Sequence, residues 1–280
     1  MTAPARPRTA LHAPFKPDWI GLALAVTLSI AVIGPMLVVG LWAFAEQWRY
    51  PALVPQEWGL RYWEMTLSRP DVWTALSTSL RLSFVVTLLS ALICLPAAYA
   101  FARLSFPGRD FFFLSFLSIQ AFPRFGLLIT IATIFLSLSL VGTFWGVAII
   151  QLVNTLMFMI WIPTAAFQAV DRRLEEAARD VGAGPVRVFW SVTLPQARPA
   201  IVAALMLTFV GTFYETEGAW LIGAPHVRTM PILMISFINN QLVIQLGAVL
   251  SVMLWVPSFL FLLAARRYLG PQGLGRGLGG

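Results

Sequence analysis

Four ionisable side chains lie inside long apolar stretches of this sequence: Arg81, Arg124, Glu215 and Glu217. A charge within hydrocarbon is costly, so each is a candidate functional group by default. Two cations and two carboxylates can neutralise one another and pin a helical bundle, or they can line a pathway and contact a polar solute. On a straight helix residues 215 and 217 lie about 200° apart, so only one of them can face a given pathway. Covalent and metal chemistry find little to work with. The single cysteine, Cys94, sits in an apolar run and reads as packing, and the two histidines, His12 and His226, are far apart. No cofactor is implied. The sole lysine, Lys16, lies in Ala-Pro-Phe-Lys-Pro, so a GxxxxGK[ST] phosphate loop cannot be present. Any ATP that drives this chain must be hydrolysed by another subunit.

The elements that position these groups follow from hydropathy. The 280 residues are 59% hydrophobic and 11% charged, with a mean hydropathy of +0.80. Soluble domains carry about 25% charged residues, so the bilayer is the solvent for most of this chain. Residues 1–18 read as a Pro- and Ala-rich tail, and 19–45 as a first transmembrane helix, long enough to cross a core of ~30 Å. Ala43-Phe44-Ala45 resembles a signal-peptidase site, but the apolar run is about twice the length such peptides use, favouring an uncleaved span. Residues 46–74 form a loop with tryptophans in and beside it, expected to lie along the headgroup layer. Further spans are expected at about 75–102, 111–138, 144–167, 199–222 and 246–265, the third kinked at Pro123. The segment holding Asn239, Asn240 and Gln241 reads as a solvated loop, and 269–280 as a second tail. The fold class is therefore all-α membrane protein with six transmembrane helices, 75–268 forming the main domain.

Between spans four and five lies a polar island, residues 171–195. Asp171 can cap a helix whose Leu174, Ala177, Ala178 and Val181 share one face. Gly182 suits a left-handed C-cap and Pro185 the first position of a second helix. Val186, Phe189, Trp190 and Thr193 repeat the spacing, and Pro195 is expected to stop that helix. Periodicity alone fits an ordinary amphipathic hairpin or a helix-turn-helix equally well. With the N-terminus inside, thirteen Lys and Arg fall on the side of the termini and the island, against four opposite. Both termini and the island are thus expected in the cytoplasm. The net charge of +7 then reflects topology, and no nucleic-acid partner is expected.

This island resembles the EAA loop of the membrane permeases of type I ABC importers. The family pattern is Glu-Ala-Ala, three residues, Gly, nine residues, Ile, one residue, Leu-Pro. Glu176, Ala177, Ala178, Gly182, Val192, Leu194 and Pro195 meet it, with Val for Ile as the single departure. Arg103-Leu-Ser-Phe-Pro-Gly-Arg109 and Arg228-Thr-Met-Pro231 also fit, and the resemblance covers about residues 75–268. It implies a coupling-helix pair that docks on a separate cytoplasmic ABC ATPase dimer. It also implies a second permease subunit, identical or homologous, and a soluble solute-binding protein on the periplasmic face. The place would be a bacterial inner membrane, amid lipid. Related permeases carry an acidic residue at the position of Glu215, making it the preferred pathway residue. Val181 before the motif glycine resembles polyamine-type members, and Asp there marks sugar-type ones. The resemblance thus ranks a polyamine-importer-like solute first and a carbohydrate or polyol second. An ATP-independent channel or secondary transporter is the competing class, and it gives no reason for the island.

Overall fold

A computed structural model describes residues 19–118, 122–241 and 243–275. Five of its helical runs are long and apolar enough to cross a membrane. They are α1 (Trp19–Ala43), α3 (Pro70–Arg103), α6 (Phe144–Ala169), the continuous run Pro185–Phe213, and α12 (Ile244–Gly275) over its Ile244–Ala264 part. The fold class expected from hydropathy is therefore the one observed. In detail the chain departs from six plain rods.

At the centre, α3 packs on α6. The buried face of α3 repeats Ser79, Ser83, Ser90, Cys94 and Ala98, small side chains that let two backbones approach in a medium with no hydrophobic drive of its own. Ser90 Oγ and Thr155 Oγ1 share a hydrogen bond of 2.6 Å across this seam, and Cys94 is buried beside Met159 and Ala204. The run Pro185–Phe213 closes the third side. It comprises α8 (Pro185–Val188), a π-turn (Phe189–Thr193) and α9 (Leu194–Phe213). Pro195 therefore does not stop a helix, contrary to expectation. The Leu194 N–H reaches back to Phe189 O, and the widened turn lets the proline pass without ending the ladder.

Two expected spans are broken. The third divides into α4 (Arg109–Ser118) and α5 (Arg124–Ser137), with Pro123 as the N-cap of α5. Proline removes a donor and disfavours helix at the residue before it, so the kink becomes a break. The fifth divides at 214–216 into α9 and α10 (Glu217–Gly223).

Two segments read as loops carry structure. Residues 46–74 hold a short antiparallel pair, β1 (Ala45–Gln47) with β2 (Glu57–Trp58), and the helix α2 (Arg61–Leu67), while α3 begins at Pro70, earlier than expected. The Asn239 segment belongs to α11 (Met230–Gln241), whose Met230, Leu233 and Phe237 join a core with Val72 and Ala75 of α3 and Leu246, Leu250 and Leu254 of α12. α12 continues through Gly275, so the helix extends into the expected tail. The tail 1–18 and residues 276–280 lie outside the described residues. α1 packs on α12 near Ala43, and most of its remaining surface is apolar and exposed.

Candidate functional site

The breaks in spans three and five face one another, and three of the four intramembrane charges meet there. Arg124, the first residue of α5, places Nε 2.9 Å from Glu217 Oε2, at ion-pair distance but without hydrogen-bond alignment. Its Nη2 lies 3.8 Å from Glu215 Oε1. Glu215 is buried and fully occupied. Its carboxylate accepts the backbone N–H of Gly218 at 2.6 Å and of Ala219 at 3.0 Å, and a bond of 3.3 Å from Gln151 Nε2. It thus caps α10, whose N-terminal dipole favours an anion. Gly218 leaves room for this contact: a Cβ there would sit 3.2 and 3.3 Å from the Glu215 oxygens and 3.1 Å from Ile150 Cγ2, a tight fit. The straight-helix expectation that 215 and 217 point apart fails because residues 214–216 are not helical: both carboxylates reach the same guanidinium. Arg81 stands outside this cluster, exposed on α3 and without an ion-pair partner among the described residues.

Below the cluster opens a cleft of about 330 Å³, lined by polar stripes of two helices. Gln151, Asn154, Thr155 and Phe158 come from α6, and Thr208, Gly211, Thr212 and Glu215 from the end of α9 and the residues after it. Each set falls at i, i+3, i+4, i+7, a signal that was legible in the sequence but hidden by the attention that charges draw. Gln151 Oε1, Asn154 Nδ2 and Thr208 Oγ1 are buried with no hydrogen-bond partner. Buried polar groups are normally satisfied, so three unpaired ones on residues of a single cleft are a feature of the site. Phe122 and Phe158 line the same cleft, as does Arg124, which is half-exposed.

The 171–195 loop folds much as its residues dictate. α7 (Arg172–Asp180) is capped by Asp171, which accepts the Arg173 N–H at 2.9 Å. Gly182 takes φ +86°, and the bonds Gly182 N–H to Arg179 O (2.8 Å) and Ala183 N–H to Ala178 O (3.0 Å) complete a Schellman motif. Glu176, Ala177, Gly182 and Pro195 are exposed, while Ala178 and Leu194 are half-buried. Leu174, Val181, Val186 and Trp190 also point outward, Val181 at 85% exposure. The residue of α7 turned inward is Glu175, which sequence reasoning passed over because it lies off the apolar face and beside the motif glutamate.

Curated relatives of this chain include permeases named for sugars and permeases named for oxyanions. The chain is 27% identical over 252 residues to the trehalose/maltose transport system permease protein MalG of Thermococcus litoralis, spanning 88% of this chain and 91% of that one. It is 30% identical over 181 residues to the molybdate/tungstate transport system permease protein WtpB of Thermococcus kodakarensis, spanning 62% and 70%. Among solved structures, a bacterial ABC transporter involved in the import of the acidic polysaccharide alginate superposes with a TM-score of 0.70 at 18% identity. That alignment covers 91% of this chain and 99% of the other, and it supports the fold alone. These relatives carry sugar and oxyanion names, so the polyamine-first ranking drawn from Val181 is not upheld: one residue of the loop says little about a cleft built elsewhere. Residues 92–270 match the family described as binding-protein-dependent transport system inner membrane component, and the chain belongs to that family.

Proposed function

We propose that this ABC-importer permease conducts a small, neutral, polyhydroxylated solute through the cleft between α5, α6 and α9. The observation that carries it is the set of unpartnered polar atoms, Gln151 Oε1, Asn154 Nδ2 and Thr208 Oγ1, on residues that line one cleft together with Phe122 and Phe158. Donors and acceptors in near balance beside apolar rings suit hydroxyl groups on a carbon frame, and about 330 Å³ is at the small end of ligand pockets. The one nearby cation is already held by two carboxylates, and Glu215 is spent on capping. Among the described residues of the cleft, neither a polycation nor a polyanion finds a free counter-charge. The sugar-type relative agrees with this chemistry. An oxyanion is the second reading, favoured by the half-exposed guanidinium of Arg124 and by the molybdate/tungstate relative; it requires Arg124 to leave Glu217.

The 171–195 loop docks on a separate ATPase dimer. Leu174, Val181, Val186 and Trp190 form an uncovered apolar set on a polar element, the kind of surface that a partner covers. Glu176 and the Gly182 turn define its shape. Both termini and this loop lie in the cytoplasm, and a solute-binding protein delivers at the opposite face. A second permease subunit completes the pathway. ATP binding shifts the pair between inward- and outward-facing states only by the difference in its affinity for the two.

Uptake into proteoliposomes holding the complete importer tests the cleft, with trehalose, maltose and molybdate as probes. Asn154→Ala and Thr208→Val are each expected to raise the KM for a sugar about tenfold, the effect of one lost hydrogen bond. Transport of molybdate, abolished by Arg124→Gln and indifferent to Asn154→Ala, would replace this assignment by the second.

A further inference from the structure

Resting on the docking role of the loop, we propose that Glu175 is a positioning residue that joins α7 rigidly to the inner ends of α3, α6 and α9. Displacement of α7 by the ATPase then moves those helices as one body. Glu175 is the buried residue of α7; Arg172, Arg173, Leu174, Glu176, Ala177, Arg179 and Asp180 are exposed. α7 therefore has little apolar purchase on the bundle, and load reaching it passes through this carboxylate or through the two turns that flank it.

What the carboxylate touches is unusual in its reach. Glu175 Oε1 accepts 2.9 Å from Arg103 Nη2 and 2.7 Å from Thr193 Oγ1. The same Nη2 donates to Val170 O at 2.8 Å. Arg103 is the last residue of α3, Val170 the C-cap of α6, and Thr193 the end of the π-turn that feeds α9. The side chains of Arg103 and Glu175 are 8% and 5% exposed. Arg179 Nη2 lies 4.0 Å from Glu175 Oε2 on the open side. Beneath the knot, Ala102, Phe167, Ala197 and Ile201 form an apolar floor with Phe189 and Leu194 packed against it.

A buried ion pair adds little net stability over apolar packing, and its best-attested use is to fix one register among several. Here the register fixed is that of α7 against three helix ends. An apolar contact would let α7 slide; two short bonds to one oxygen, anchored on a cation that also grips the α6 cap, do not. The adjacent Glu176 is then free to face the partner, so neighbouring glutamates divide the work: one faces the ATPase and its neighbour holds the bundle.

The test uses the importer complex in nanodiscs, with Cys94→Ser removing the native thiol and Phe122→Cys reporting on the cleft. The readout is the rate of alkylation by a membrane-impermeant maleimide, compared between nucleotide-free and ATP-trapped complexes. Glu175→Gln and Thr193→Val are expected to co-purify with the ATPase and to sustain hydrolysis. The nucleotide-dependent change in alkylation should shrink about tenfold, as for a broken coupling between sites. Thr193→Ser, which restores the hydroxyl, should return it. If Glu175→Gln fails to assemble, Thr193→Val decides alone. An assembled Thr193→Val complex with an undiminished change, or one that loses the ATPase altogether, overturns the proposal. A parent chain that captures no ATPase, or whose capture is indifferent to Glu176→Lys, overturns the docking role instead.

Discussion

A carboxylate in a membrane segment is usually read as a contact for cargo, yet Glu215 and Glu217 do different things two residues apart. Glu215 satisfies two backbone N–H groups that would otherwise be unpaired at the start of α10. Its truncation to alanine is expected to cost about 2 kcal/mol, the upper end for losing a cap, read as a lower unfolding temperature in detergent. Glu217 pairs with an arginine that is half open to solvent, and such pairs contribute less than about 1 kcal/mol. Glu217→Ala should therefore leave the unfolding temperature nearly unchanged while altering transport, because it frees Arg124 at the rim of the cleft. The reverse ranking would show that Glu217 holds the bundle and Glu215 does not. Charge was visible in the sequence, but not which carboxylate was already occupied, since the capping bonds depend on a helix break that hydropathy does not register.

Among elements, the loop helices were the most legible and the membrane helices the least. Asp171, Gly182 and Pro185 act within a few residues of themselves, so cap, turn and restart could be read directly. Gly182→Ala forces a β-carbon into the left-handed region, at about 1–2 kcal/mol, with open space around it. The turn should loosen without any clash, and pull-down of the ATPase should weaken; Gly182→Pro should abolish it. Full retention by both variants would remove the turn from the docking surface. Pro195 could not be read the same way. Whether a proline stops a helix depends on a π-turn upstream, which in turn is held by Thr193 in the Glu175 knot. α11 shows the opposite failure: Met230, Leu233 and Phe237 carried the helical spacing, but the polar Asn239 end obscured it.

At the scale of the whole molecule, two uncovered surfaces call for company. Most of α1 is apolar and exposed, as lipid or a second subunit requires, and the outer face of α3 puts Arg81 in line with Phe84, Leu88 and Leu92. An arginine facing lipid costs about 3 kcal/mol at the bilayer centre, so Arg81 is expected to meet a second permease chain or reach the headgroups. Topology gives a direct check. Val181→Cys, in the Cys94→Ser background, should react with an impermeant maleimide in inside-out vesicles and stay unreactive in right-side-out ones. Labelling from the outside would invert the chain and put the loop beyond reach of any ATPase.

Composition, the apolar runs and the EAA spacing by themselves settled that this is a helical membrane chain with a two-helix loop, because bilayer length, side-chain period and capping are short-range demands that each stretch meets alone. Tertiary structure decided where the two broken spans meet, which uncharged side chains line the cleft between them, and that Glu175 rather than its neighbour is turned inward. Those outcomes are set by helix ends coming together from parts of the chain more than sixty residues apart, as Arg103 and Glu175 do. No local pattern records which atoms such ends will leave unsatisfied.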